Sequence, residues 1–243
     1  MVLVSAFPSA VFGTNCYVLA TGPGQECLVV DPGIAVLDRL AEVLSMHRLR
    51  PSAVLLTHGH VDHTYSVTPV CSAHGVPALL HGDDAYRLTD PLSELDPALV
   101  RMLEQQFGAT ASWTAPSDVR TTTDGEVLEL AGLSVRVLHS PGHTEGSVLF
   151  ALDDVLDAGA ALLGVSDADR EGARSTVVSG DVLFAGSIGR TDLPGGDHAA
   201  MLRSLRDVVL PLPDDAMVLP GHGPATTVGR ERASNPYLRD LAG

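Results

Sequence analysis

Aliphatic runs separated by Gly, Pro, Asn and Asp recur along this chain. Their length and spacing predict strands near 2–6, 15–20 and 26–31. Positions 35–48 then change to the period of an amphipathic helix. Ala53-Val54-Leu55-Leu56 is too short for a helix and reads as a buried strand. A helix is expected over 61–71, then a strand at 77–80 and helical material near 97–106. The pattern restarts at Gly125-Glu126-Val127-Leu128-Glu129-Leu130, with strands near 133–139, 147–152 and 176–180, a helix around 197–208 and a strand at 216–219. Two halves, each β then α, fit a mixed α/β fold in which two sheets pack face to face with helices outside, as one domain over 1–243. Segment 153–175, rich in Ala, Gly and Asp, fits neither element and reads as a loop insertion, a surface excursion in preference to a lid or an oligomer contact.

The ends of the predicted strands carry the chemistry. Thr57-His58-Gly59-His60-Val61-Asp62-His63-Thr64 follows the Ala53–Leu56 run directly. Imidazole and carboxylate are the side chains that bind divalent transition metals at neutral pH. Packed into one loop and turned to one buried space, they require a cation. Further along, Ser140-Pro141-Gly142-His143-Thr144-Glu145-Gly146-Ser147 follows the strand at 133–139. Asp181 follows Val177-Val178-Ser179-Gly180, and His222 follows Met217-Val218-Leu219-Pro220-Gly221. The candidates are therefore His58, His60, Asp62, His63, His143, Asp181 and His222. A catalytic zinc takes about three protein ligands and keeps a position for water, so seven candidates exceed one site and fit two that share a carboxylate. Residues 58 and 60 alternate along an extended segment and face one way, whereas Asp62 and His63 fall at a helix start and face a neighbouring spot. Asp181, alone on its strand end, suits the shared position.

These motifs and their order resemble the metallo-β-lactamase superfamily and, within it, the short bacterial glyoxalase II-like hydrolases. The resemblance runs from Gly13-Thr14-Asn15-Cys16-Tyr17 through Val30-Asp31-Pro32-Gly33 and Gly180-Asp181-Val182-Leu183-Phe184 to Asn235-Pro236-Tyr237-Leu238. It implies a four-layer αββα sandwich. It also implies that His58, His60 and His143 hold one metal, that Asp62, His63 and His222 hold the other, and that Asp181 bridges them. Asp62 and Asp181 are the catalytic carboxylates in this reading. A cysteine in place of Asp181 would have favoured a β-lactamase-type site. The implied activity is hydrolysis of an acyl-thiol thioester of the hydroxyacyl-glutathione kind. Gly189-Arg190-Thr191-Asp192 also resembles the persulfide dioxygenases of the same fold, which use a single iron; that is the alternative reading.

Two close divalent ions lower the pKa of a bridging water and supply hydroxide near neutral pH without a separate protein base. Zinc suits the donor set first, with iron and manganese as alternatives. Arg190 either holds a substrate carboxylate or pairs with Asp192 to shape its loop. His47, His74, His81, His139 and His198 have no motif context and read as structural or surface residues. No C-terminal helical region is expected after His222 to recognise glutathione, so the thiol is left open.

Composition narrows the partners. The chain has 243 residues, 45% of them apolar and only 4% aromatic, so its core is aliphatic. Net charge is −15, and all 15 basic residues are arginine. That balance argues against the phosphate-binding surface a nuclease needs, and so against nucleic acid as a partner. No run approaches the ~20 apolar residues of a membrane span, and the start lacks a secretory pattern. Cys16, Cys27 and Cys71 have no C-x-x-C spacing and read as reduced core residues of a cytoplasmic protein. A small acyl-thiol is the expected partner, and oligomeric state is left open.

Overall fold

The computed structural model describes residues 2–90, 98, 100–102, 105, 114–154 and 167–242. Two six-stranded sheets form the body. In the first, β1 (Leu3–Pro8), β2 (Asn15–Ala20) and β3 (Glu26–Val30) run antiparallel, and β4 (Arg50–Leu55), β5 (Ala78–His81) and β6 (Val119–Thr122) add in parallel. The second has the order β14-β13-β10-β9-β8-β7. There β7 (Val127–Leu130), β8 (Leu133–His139), β9 (Val148–Leu152) and β10 (Ser175–Gly180) are antiparallel neighbours. β13 (Ala216–Pro220) joins β10 in parallel, and β14 (Thr226–Thr227) closes that edge. A separate hairpin pairs β11 (Leu183–Phe184) with β12 (Ser187–Ile188).

The two-residue period of each strand sorts its side chains into layers. Leu28 and Val30 join Leu19, Leu55, Val135, Phe150 and Leu219 between the sheets. Their neighbours Cys27 and Val29 face the other way, onto Leu40, Val43 and Leu44 of α1 (Leu37–His47) and onto Val67 and Val70 of α3 (Val67–His74). On the second sheet Met217 and Leu219 point inward, while Ala216 and Val218 pack under Met201 and Leu205. The order of layers is therefore helix, sheet, sheet, helix, as expected. Phe150, wholly buried between the sheets, is the largest side chain among the described residues to lose all contact with water.

Three expectations are corrected. The helix over 61–71 is two helices, α2 (Val61–Thr64) and α3. Pro69 has no N–H to continue the ladder, and Ser66 instead donates its N–H to the Pro32 carbonyl and its hydroxyl to the Gly33 carbonyl. The helix at 197–208 is α5 (His198–Ser204), widening into a π-turn over Leu205–Val209. After His222 the chain does form helices, α6 (Val228–Ser234) and α7 (Pro236–Ala242), whose Val228 and Leu238 pack with Leu205 and Val209 on the outer layer. Of segment 153–175 the described part includes α4 (Asp167–Gly172) and buried Ala173. The helical material near 97–106 lies for the most part outside the described residues.

Candidate metal centre

The four loops that carry the candidate ligands leave the C-terminal ends of strands at one edge of the sandwich. The loop after β4 carries His58 to His63, that after β8 carries His143, that after β10 Asp181, and that after β13 His222. The seven side chains meet there. His58 Nε2 lies 3.1 Å from His60 Nδ1, which lies 2.9 Å from His143 Nε2. Beside this trio, Asp62 Oδ2 is 3.2 Å from His222 Nε2 and 3.6 Å from His63 Nε2. Asp181 reaches both sets: Oδ2 is 3.5 Å from His143 Nε2 and 3.6 Å from His222 Nε2, and Oδ1 is 3.3 Å from His63 Nε2.

The outer nitrogens are engaged by acceptors that turn the inner ones toward the cluster. His143 Nδ1–H donates to the Arg190 carbonyl at 2.7 Å, and His222 Nδ1–H to the Phe12 carbonyl at 3.2 Å. His63 Nδ1–H donates to Asp31 at 2.9 Å. Thr57 Oγ1 gives its proton to Asp31 at 2.7 Å and so accepts from His58 Nδ1 at 3.1 Å. Each of these four rings is thereby left with an unprotonated nitrogen facing inward, which is what a metal requires. Thr14 Oγ1 donates to Asp62 at 2.8 Å.

Buried His63 Nε2 and Asp181 Oδ1 make no hydrogen bond even though they lie close together. Orphaned polar atoms of this kind are rare and costly, and a cation between them satisfies both. The donor set, imidazole and carboxylate, suits zinc, iron or manganese. Electrostatics divides the cluster in the same way. Burial holds His58 and His143 below the usual histidine range, and burial with His143 pushes His60 down to about 3. For His63, burial opposes the charge, but Asp62, Asp181 and Asp31 outweigh it and raise the ring. His222 is raised likewise, by Asp62 and Asp181 against its burial.

Two motifs that carry the family resemblance find their purpose in holding this edge. Asn15 donates its N–H to the Gly221 carbonyl and its amide to Pro220 and Gly223, and Tyr17 donates to Pro220 at 2.6 Å. The His222 loop of the second sheet is thus tied to the first. Gly221 is glycine because a Cβ there would overlap Asp181 Oδ1 and press on His63. Asn235 donates to the Ser187 carbonyl and so anchors the β11–β12 hairpin behind Asp181.

Asp31 was missing from the candidate ligands, although it orients His63 and Thr57. Its signal was available: a carboxylate ending an apolar strand before Pro-Gly, the rule that selected Asp181. It sits at a positive φ of 48°, unusual for a residue with a side chain. Arg190 contributes its carbonyl to His143, while its guanidinium lies bidentate on Asp192 at 2.8 Å, exposed at the rim. His81 and His139 stack 3.9 Å apart with nearly parallel rings, near Asp83. Parallel rings do not converge on one in-plane ion. The three cysteines are free and buried.

Fold and site together define a metal-binding αββα protein with room for a two-ion centre. Residues 10–163 match the model of the metallo-β-lactamase superfamily, and the chain belongs to that superfamily, whose members are typically metallohydrolases. It is 32% identical to hydroxyacylglutathione hydrolase GloC of Haemophilus influenzae, over 97% of each chain. Among solved structures, the BLEG-1 B3 metallo-β-lactamase is 33% identical, covering 98% of this chain and 99% of that one, with a TM-score of 0.74. TTHA1623 in a di-iron-bound form is 32% identical over 96% and 99%, with a TM-score of 0.70. Among the described residues, no helix is long and apolar enough to cross a membrane.

Proposed function

We propose that this chain is a dinuclear metallohydrolase that cleaves the thioester of a small acyl-thiol. The observation that carries the reading is Asp181, whose two oxygens face both ligand sets. His58, His60 and His143 would hold one ion, Asp62, His63 and His222 the other, and Asp181 both. The bound ions supply a nucleophile from water at neutral pH and polarise the carbonyl. The protein's own part is orientation. Asp31, Thr57 and the carbonyls of Arg190 and Phe12 fix ring tautomers, and Thr14 fixes Asp62. The similarity to GloC supports a thioester substrate, and the absence of cysteine from the seven ligands fits it. Zinc is the first choice, and the similarity to a di-iron protein keeps iron open. Three free buried cysteines fit a cytoplasmic setting.

Arg190 is the one rim cation put forward for the substrate. It must leave Asp192 to bind a carboxylate, so it is expected to set KM in preference to turnover. The similarity to BLEG-1 gives the competing substrate, a β-lactam. Comparing kcat/KM for several acyl-thiols, S-lactoylglutathione among them, with that for one β-lactam tests the proposal. An acyl-thiol should be preferred, S-lactoylglutathione should show a high KM, and a preferred β-lactam would overturn the thioesterase reading. One iron per chain with oxygen uptake on a persulfide would replace it with the dioxygenase alternative.

A further inference from the structure

Asp84 lies on a 3₁₀ helix (Gly82–Leu88) that follows β5, is fully buried, and touches none of the ligand atoms. Its Oδ2 accepts from the Gly59 N–H at 2.7 Å and from Thr144 Oγ1 at 2.8 Å, and its Oδ1 accepts from the Gly146 N–H at 2.8 Å. Gly59 is the residue between His58 and His60, and Thr144 follows His143. One carboxylate therefore grips the backbone of the loop from the first sheet and the loop from the second.

Arg87, one turn on, extends the grip. Its Nε lies 3.4 Å from Asp84 Oδ1, and its Nη2 donates to Glu145 at 2.7 Å and to the Pro194 carbonyl at 3.0 Å. Pro194 belongs to the same loop as Arg190, whose carbonyl orients His143. Two glycines of the ligand motifs fit against this pair. A Cβ at Gly59 would stand 2.7 Å from Arg87 Cβ and Cδ, and one at Gly146 would stand 2.7 Å from Asp84 Cβ and Cγ. A neutral amide would not replace the carboxylate, because one of its two ends is a donor and would face donors.

We infer that Asp84, braced by Arg87, is the positioning residue that holds the trio His58, His60 and His143 in register as one metal position. This rests on the metal reading above but not on the substrate. Asp84→Asn should weaken binding at the trio by about 10–100-fold, the range for residues that orient ligands, and leave the Asp62, His63 and His222 position unchanged.

Cobalt(II) titration with elemental analysis, in two backgrounds, tests this. In His222→Ala, which retains the trio, Asp84→Asn should lower the affinity of the remaining ion. In His58→Ala, which retains the other set, it should not. Equal losses in both backgrounds, or none in either, would overturn the inference. Thr144→Val removes one of the three hydrogen bonds and serves if Asp84→Asn does not fold. It should show the same selectivity at several-fold, and its failure to do so is equally decisive. The readout needs no substrate. A wild type that loads both ions but hydrolyses no thioester overturns the proposed reaction and leaves the clamp to be judged on these affinities.

Discussion

The two sets of candidate ligands lie side by side but are built differently. The trio is all imidazole, and burial keeps its rings below the ordinary histidine range. The set of Asp62, His63 and His222 pairs imidazoles with carboxylate, and its rings are raised. Burial disfavours a positive charge on the first set, whereas the carboxylates beside His63 and His222 favour one on the second. Their supports differ too. The trio is braced through loop backbone by Asp84, the second set through side chains by Asp31 and Thr14. Asp84 and Thr14 each brace one position and can weaken it alone, whereas Asp31 also reaches His58 through Thr57, and Asp181 faces both sets directly, so its loss should weaken both most.

The largest effect is therefore expected at Asp181. Asp181→Ala should lower occupancy at both positions and reduce turnover by orders of magnitude, measured as metal per chain and kcat together. Next comes Asp31→Asn. It frees the His63 ring directly, so the second position should bind its ion about 10–100-fold more weakly, and it loosens His58 only through Thr57, so the trio should lose less. Competition with a chelator in the His58→Ala background measures this, and an unchanged constant there would contradict the role given to Asp31. Thr14→Val removes a single bond to Asp62 and should cost only a few-fold at the same position, since one hydrogen bond is worth about 1 kcal/mol. The smallest effect is expected at Arg190→Ala, whose guanidinium is exposed and whose carbonyl stays in place. Metal content should be unchanged, with any effect confined to KM. Loss of metal in that variant would mean that the side chain, not the main chain, positions His143.

The seven clustered side chains could be read from the sequence because each follows an apolar strand or opens the helix beyond one. The layered fold was readable for the same reason, since its strands are aliphatic runs cut off by Gly or Pro. What escaped lacks that contrast. β6 reads Val-Arg-Thr-Thr and is mostly exposed at the sheet edge, so it shows no apolar run. The helices after His222 are seven residues each, too short to establish a period. The break at Ser66 depends on carbonyls from 32 and 33, which no local pattern reveals. Asp83 and Asp84 are adjacent and alike in sequence, and only the 3₁₀ turn sends one outward and the other into the clamp. Asp31 is the exception, since the rule that found Asp181 applies to it equally.

Metal stoichiometry tests the central claim most directly. Protein loaded to saturation and freed of excess metal should carry two divalent ions per chain by elemental analysis, and Asp181→Ala should lose from both positions. A wild type that saturates at one ion, with Asp181→Ala holding the same amount equally tightly, would contradict a shared two-ion centre.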